Sequence, residues 1–92
     1  MRFERDTEII NIPDRIWSPE DLNNFIKDLP PAGGTKGVVL SGRAPVWVYA
    51  FLTHYFHPRP FVATFDPRLN GAVVVCSHTP DVKVGEIIKV ME

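Results

Sequence analysis

Short apolar runs separated by turn residues make up most of this chain, which predicts a small fold of strands and helices. Strands are predicted at residues 7–12, 36–40, 60–65, 72–76 and 86–90. Within the second of these, residues 37–40 are apolar without alternation, which is typical of a strand covered on both faces.

Two helices are predicted between these strands. Residues 18–21 combine a serine cap, a proline at the first helical position and two carboxylates in the first turn. An apolar stripe follows at helical spacing, formed by Leu22, Phe25, Ile26 and Leu29. The second helix is predicted over residues 45–57, opened by Pro45 and stopped by Pro58. It is apolar on most sides, so it lies deep in the core or beneath a partner.

The order of these elements predicts a mixed sheet. Strand, helix and strand over residues 36–65 form two parallel neighbours with a right-handed crossover. Asn70-Gly71 turns the chain into an antiparallel fourth strand, and the last strand is expected at the sheet edge. The predicted fold class is α/β: a small Rossmann-like or ferredoxin-like mixed sheet of about five strands with two helices. We expect a single domain over residues 1–92.

Composition narrows the range of partners. The chain has 92 residues, 45% of them apolar, and a net charge of −1. A domain this small buries only about 60–65% of its unfolded surface, so we expect another copy of the chain to cover part of the apolar content. The near-neutral charge argues against DNA or long RNA as a ligand. A small anion held by a few arginines remains compatible.

The single cysteine and the lack of a long apolar run indicate the cellular compartment in which the protein is expected. Cys76 has no partner for an internal disulfide and follows a run of valines, so it is read as filler within a strand in a reducing environment. No long apolar run suggests a signal peptide or a membrane span. We therefore expect a cytoplasmic protein that does not bind membranes.

A candidate anion site follows the second strand. The turn Ser41-Gly42-Arg43 links that strand to the helix beginning at Pro45, where free N–H groups favour a negative charge. The carboxyl ends of parallel strands share one edge, so Asp66 and Arg68 are expected beside this turn. The plainer interpretations are an ordinary strand–helix connection, turn chemistry at Asp66 and a solvated charge at Arg68.

The histidines are predicted at the opposite edge of the sheet. His57 precedes the third strand and His78 follows the antiparallel fourth, so they can lie together, about 15–20 Å from Asp66. If the three act together, they must come from two molecules stacked end to end. They would then suit a Mn²⁺ or Zn²⁺ ion. Alternatively, His57 caps the helix end, His78 is a turn residue, and His54 is a core or interface histidine.

The same residues resemble a small CRISPR-associated family. The resemblance rests on Lys36-Gly37-Val38-Val39-Leu40-Ser41-Gly42-Arg43-Ala44-Pro45-Val46-Trp47, His57, Pro60-Phe61-Val62-Ala63, Asp66-Pro67-Arg68-Leu69, Gly71-Ala72-Val73-Val74-Val75 and Ser77-His78. Members of this family accompany type III systems in antiviral defence. They are described as ring nucleases that degrade cyclic tetra-adenylate, and as manganese-dependent exoribonucleases that remove 3′ adenylates.

The resemblance implies roles for these residues. It assigns Ser41, Gly42, Arg43 and Arg68, with Asp66, to the nucleotide site. It also assigns His57, Asp66 and His78 to the catalytic or metal group, with Mn²⁺ as the suspected cofactor.

The resemblance further implies dimers that join into tetramers around the cyclic ligand. The family loop passes directly from a leucine like Leu69 to a glycine like Gly71, so Asn70 is an extra residue that can shift Arg68. The function expected is degradation of cyclic tetra-adenylate to linear products. A non-catalytic sensor of the ring, or an exoribonuclease acting on short RNA, is the alternative.

Overall fold

Six strands and two α-helices occupy residues 1–91, the part of the chain that the computed structural model describes. In chain order they are β1 (Arg2–Phe3), β2 (Thr7–Asn11), α1 (Asp21–Ile26), β3 (Gly37–Ser41), α2 (Val46–Tyr55), β4 (Phe61–Asp66), β5 (Gly71–Ser77) and β6 (Ile87–Met91). A 3₁₀ turn, Pro67–Leu69, links β4 to β5. The predicted mixed α/β fold with two helices is confirmed.

All six strands form one sheet in the order β1-β6-β5-β4-β3-β2. The pairs β2–β3 and β3–β4 are parallel, and the pairs β4–β5, β5–β6 and β6–β1 are antiparallel. The parallel β3–β4 pair around α2 is the predicted crossover unit. It places the ends of β3 and β4 on one edge of the sheet, with Leu40 opposite Thr64.

The prediction that the last strand lies at the sheet edge is wrong. The N-terminal strand β1, which the sequence pattern did not reveal, pairs with β6 through Arg2–Met91 and Phe3–Val90. The Glu4 amide donates to the Lys89 carbonyl at 2.9 Å, and the Glu4 carboxylate accepts from the Lys89 amide at 3.0 Å. Phe3 is only 6% exposed, so a single apolar side chain anchors an otherwise charged segment.

The start of α1 differs from the prediction. The Ser18 side chain does not cap the helix; the Asp21 carboxylate accepts a hydrogen bond from the Ser18 amide at 2.7 Å. The helix is also shorter than the apolar stripe suggested, because it ends at Ile26. Leu29 lies beyond the helix yet still packs against the core.

The bounds of α2 are narrower than residues 45–57. Pro45 is the N-cap, with an extended ψ of 152°, and not the first helical residue. The helix ends at Tyr55, so His57 lies in the turn that follows, where its amide donates to the His54 carbonyl at 3.1 Å.

Both helices cover the same face of the sheet. The core between them and the strands is formed by Ile10, Ile12, Trp17, Phe25, Val38, Leu40, Val48, Leu52, Phe56 and Val62. A second apolar cluster lies on the other face, formed by Phe3, Val39, Phe61, Ala63, Ala72, Val74, Val82 and Ile88. The apolar run in β3 thus serves two cores, as its lack of alternation predicted. Within residues 1–91, neither helix has the length that crossing a membrane would need.

Candidate functional site

Two clusters of polar residues lie at opposite ends of β4. The arginine rim, at its carboxyl end, comprises Ser41, Gly42, Arg43, Asp66 and Arg68. The histidine rim, at its amino end, comprises His57 and His78. Because β5 is antiparallel to β4, Asp66 pairs with Gly71 at one end and Phe61 pairs with Ser77 at the other. The five residue steps between these pairs span about 17 Å at roughly 3.3 Å per residue.

The arginine rim is built on the tight turn after β3. Gly42 has φ +145°, and an added Cβ would collide with the Ile12 carbonyl oxygen. Its own carbonyl accepts a hydrogen bond from the Tyr49 hydroxyl at 2.5 Å. A cleft of about 230 Å³ opens here, lined by Ser41, Gly42, Arg43, Phe65 and Pro67. The predicted convergence of the β3 and β4 ends is therefore observed.

Asp66 and Arg68 form a compact ion pair on this rim. The Asp66 carboxylate accepts from the Arg68 amide at 2.9 Å, from Nε at 3.2 Å and from Nη2 at 2.9 Å. The hydrogen bonds from the Arg68 side chain hold the pKa of Asp66 below its usual value. Asp66 is thus a fully charged carboxylate whose present partner is the neighbouring arginine.

Asn70 adopts the left-handed conformation, with φ +50° and ψ +43°. Its amide donates to the Pro67 carbonyl at 3.2 Å, and its carbonyl accepts from the Val90 amide at 3.1 Å. Asparagine tolerates this conformation better than most residues. Asn70 therefore ends the 3₁₀ turn, and the Arg68 side chain is bonded to Asp66.

The histidine rim brings the two imidazoles into contact. The rings of His57 and His78 lie edge to face, with centroids 4.5 Å apart and planes at 76°. The predicted proximity of these residues is confirmed. The His78 amide donates to the Pro60 carbonyl at 2.8 Å, which ties the β5 end to the turn carrying His57. Cys76, within β5 as predicted, places its Sγ 3.8 Å from Nε2 of His78.

A buried arginine supports the turn that carries His57. Arg59 is 3% exposed and donates to the carbonyls of Ala32, Lys36 and Pro31 at 3.1, 3.2 and 2.7 Å. Its Nη2 also lies 3.0 Å from the Glu8 carboxylate. The sequence pattern gave no signal for this role, because an arginine between two prolines looks like a solvated loop charge.

The two tryptophans and His54 lie outside both rims. Trp17 is buried and contacts the Phe25 ring edge to face at 5.2 Å. Trp47 is 36% exposed on α2, and His54 is exposed in the last turn of that helix. His54 belongs to neither rim.

A second, larger cleft of about 430 Å³ lies between β2 and α1. The carboxylates of Glu8 and Asp28 line it, so it is unsuited to an anionic ligand. Among residues 1–91, no group of three or more histidine, cysteine or acidic side chains lies close enough to hold a metal ion within one subunit. Within the described residues, His57 and His78 therefore have no carboxylate near enough to complete a metal site with them.

Comparisons with known proteins identify the family of this chain. A family model described as CRISPR-associated protein (Cas_csx3) matches residues 10–89, which include both rims. A protein of Aquifex aeolicus (strain VF5), described as uncharacterized, is 49% identical over 95 residues, covering 96% of this chain and 82% of the relative. On these matches, the chain belongs to the Csx3 family of CRISPR-associated proteins.

Proposed function

We propose that this protein is a ring nuclease, which binds cyclic tetra-adenylate on the arginine rim of one subunit and cleaves it with the histidine rim of a facing subunit. The observation that carries the proposal is the separation of the two rims at opposite ends of β4. Each rim alone has half of what phosphodiester cleavage requires. End-to-end stacking of two copies brings the halves together.

The arginine rim is suited to a phosphodiester. Arg43 is exposed at the turn, Ser41 lines the same cleft, and the Arg68 side chain is 87% exposed. Guanidinium groups bind phosphate oxygens in pairs and stabilise the charge that develops as the bond breaks. The cleft of about 230 Å³ is smaller than the roughly 300–1,000 Å³ that encloses a whole ligand. A ring of four nucleotides would therefore also need surface outside this cleft, which a facing copy would supply.

The histidine rim supplies acid–base chemistry. Cleavage requires a base for the attacking hydroxyl and an acid for the leaving oxygen, and two exposed imidazoles in contact can serve these roles. Asp66 of the opposing copy would orient a ribose hydroxyl or complete a metal site.

The donor set fits Mn²⁺ only when it is shared between subunits. His57 and His78 offer two imidazole nitrogens, and a facing Asp66 adds carboxylate oxygen, all ligand types that manganese accepts. When bound, the ion would polarise the phosphoryl oxygen of the scissile bond.

Two other functions are compatible with particular observations. A non-catalytic sensor of the ring is favoured by the lack of any group of three metal-ligating side chains within residues 1–91 of one subunit. A manganese-dependent exoribonuclease acting on short RNA 3′ ends would use the same residues. The net charge of −1 favours the small ring over extended RNA.

The deciding experiment is incubation with cyclic tetra-adenylate, with and without Mn²⁺, followed by mass analysis of the products. A ring nuclease yields linear oligoadenylates, and His57→Ala abolishes them. His54→Ala is the matched control, because this exposed histidine lies outside both rims, and it should retain turnover. Recovery of the intact ring under both conditions would make the protein a sensor. Faster trimming of linear oligoadenylate than of the ring would identify an exoribonuclease.

A further inference from the structure

We propose that Tyr49 is a positioning residue for the phosphate site, because its hydroxyl fixes the orientation of the Gly42–Arg43 peptide bond. The inference rests on the proposed function, since it concerns how the arginine rim receives a phosphodiester. The observation behind it is the hydrogen bond from the Tyr49 hydroxyl to the Gly42 carbonyl, at 2.5 Å.

The backbone at Gly42 has little conformational preference of its own. The space beside Ile12 excludes a Cβ, and φ is +145°, so only glycine fits. Glycine adopts left-handed and right-handed conformations with similar ease. Rotation of the following peptide plane therefore meets little local resistance, and an outside contact must select one orientation.

Tyr49 is well placed to supply that contact. It lies near the start of α2, a helix anchored by Val48 and Leu52, both 0% exposed. The tyrosine ring packs against the core at its partly buried side. Burial raises the pKa of Tyr49, so the phenol keeps its proton and remains a donor throughout the neutral range. A rigid helix thus presents a permanent donor to a flexible glycine.

The orientation of this peptide bond determines whether an amide hydrogen or a carbonyl oxygen faces the phosphate site. In a trans peptide the C=O and N–H bonds point in opposite directions. With the Gly42 carbonyl tied to Tyr49, the Arg43 N–H points away from that hydroxyl. No backbone carbonyl within residues 1–91 accepts from it, so it can donate to a phosphate oxygen. If the peptide rotated, the carbonyl oxygen would repel the anion instead. Tyr49 therefore acts through the backbone and touches no ligand atom.

The test compares Tyr49→Phe with Tyr55→Phe. Both tyrosines lie on α2 and donate to a loop carbonyl, but Tyr55 bonds to Pro30, in the loop that follows α1. Affinity for cyclic tetra-adenylate is measured by calorimetry in a His57→Ala background, which prevents cleavage. Loss of one hydrogen bond predicts about 5–10-fold weaker binding for Tyr49→Phe. Tyr55→Phe should stay within about twofold of the parent.

A second readout separates positioning from loss of stability. With His57 intact, Tyr49→Phe should raise KM while kcat at saturating ring concentration is retained, which is the pattern of weakened uniform binding. The thermal midpoints of the two tyrosine variants should be similar. The Arg43 amide signal in a ¹H–¹⁵N spectrum should move in Tyr49→Phe alone.

Each outcome decides between the two proposals. If the parent binds the ring and Tyr49→Phe binds equally well, or if both tyrosine variants lose affinity equally, the assignment of Tyr49 is wrong and the proposed function stands. If the parent itself does not bind the ring, the proposed function fails and the assignment fails with it.

Discussion

Arg68 folds back onto Asp66, with its Nη2 2.9 Å from Oδ2 and its amide nitrogen 2.9 Å from Oδ1. The resemblance assigns Arg68 to nucleotide binding and Asp66 to the catalytic or metal group. Within one subunit, these two residues are thus paired with each other. Arg68 is 87% exposed, so solvent weakens the pair. Under the proposed function, a phosphate of the ring would displace the carboxylate.

This pairing makes a prediction about titration. Arg68→Met should raise the pKa of Asp66 toward the ordinary aspartate value, because the largest cause of its lowering is the Arg68 side chain. Since the folded-state pKa lies below the unfolded one, the pair stabilises the fold above the ordinary aspartate pKa. That contribution is lost as pH falls through the lowered value. The pKa of Asp66 is measured from its carboxyl ¹³C chemical shift over an acid titration.

Arg43→Met is the control for this titration, because Arg43 lies on the same rim but outside the contacts of Asp66. Its Asp66 titration should match that of the unmodified protein. An Asp66 pKa that is the same with and without Arg68 would contradict the pairing.

The shared site predicts complementation between two inactive variants. In an equal mixture of His57→Ala and Asp66→Ala chains, about one quarter of sites receive an intact histidine rim and an intact Asp66 from different copies. Turnover of cyclic tetra-adenylate, which each variant lacks alone, should return in the mixture. The measurement is product formation after the subunits have been allowed to exchange.

A mixture of His57→Ala with His78→Ala is the matched control, since both defects lie on one rim and no copy offers two imidazoles. It should remain inactive. Recovery in this control, or none in the first mixture, would count against a site shared between subunits.

Gly42 should tolerate no side chain. Gly42→Ala places a methyl group against the Ile12 carbonyl and imposes a strained φ, so it should lower both stability and affinity for the ring. Gly85→Ala is the comparison, because Gly85 has φ +92° but no heavy atom within 4 Å of an added Cβ. The comparison variant should lose only about 1–2 kcal/mol from strain. Urea unfolding measures the free energy of unfolding of both variants. Equal losses of stability would show that the collision at Ile12 is unimportant.

Arg59 is predicted to hold the turn behind His57. Arg59→Met removes three hydrogen bonds to loop carbonyls and should lower the free energy of unfolding by about 2–3 kcal/mol. The ion pair with Glu8 adds little to that figure, because the Glu8 side chain is 40% exposed. Urea denaturation tests the stability, and a ¹H–¹⁵N spectrum reports whether the His57 amide shifts.

Lys36→Met provides a control for Arg59, because the Lys36–Asp6 pair is 3.5 Å long with side chains 53% and 82% exposed. Its stability should change by less than about 0.5 kcal/mol. A loss for Arg59→Met that is no larger would mean that the buried guanidinium is not a structural support.

The sequence pattern anticipated the parts of the fold that depend on local chemistry. The unalternating apolar run in β3, the glycine turn at Gly42 and the chain reversal at Asn70-Gly71 each follow from short-range steric and burial preferences. The meeting of His57 with His78 could also be inferred, because strand direction and length fix which loops share an edge.

Only the tertiary structure decided where the isolated polar groups find partners. The two-residue strand β1 is too short to show a pattern, and its pairing with β6 depends on distant backbone groups and the burial of Phe3. Arg59 reaches carbonyls more than twenty residues away, and Tyr49 reaches a glycine across a turn. Periodicity along a chain records which residues are buried. The partner of a buried donor is set by how the elements pack together.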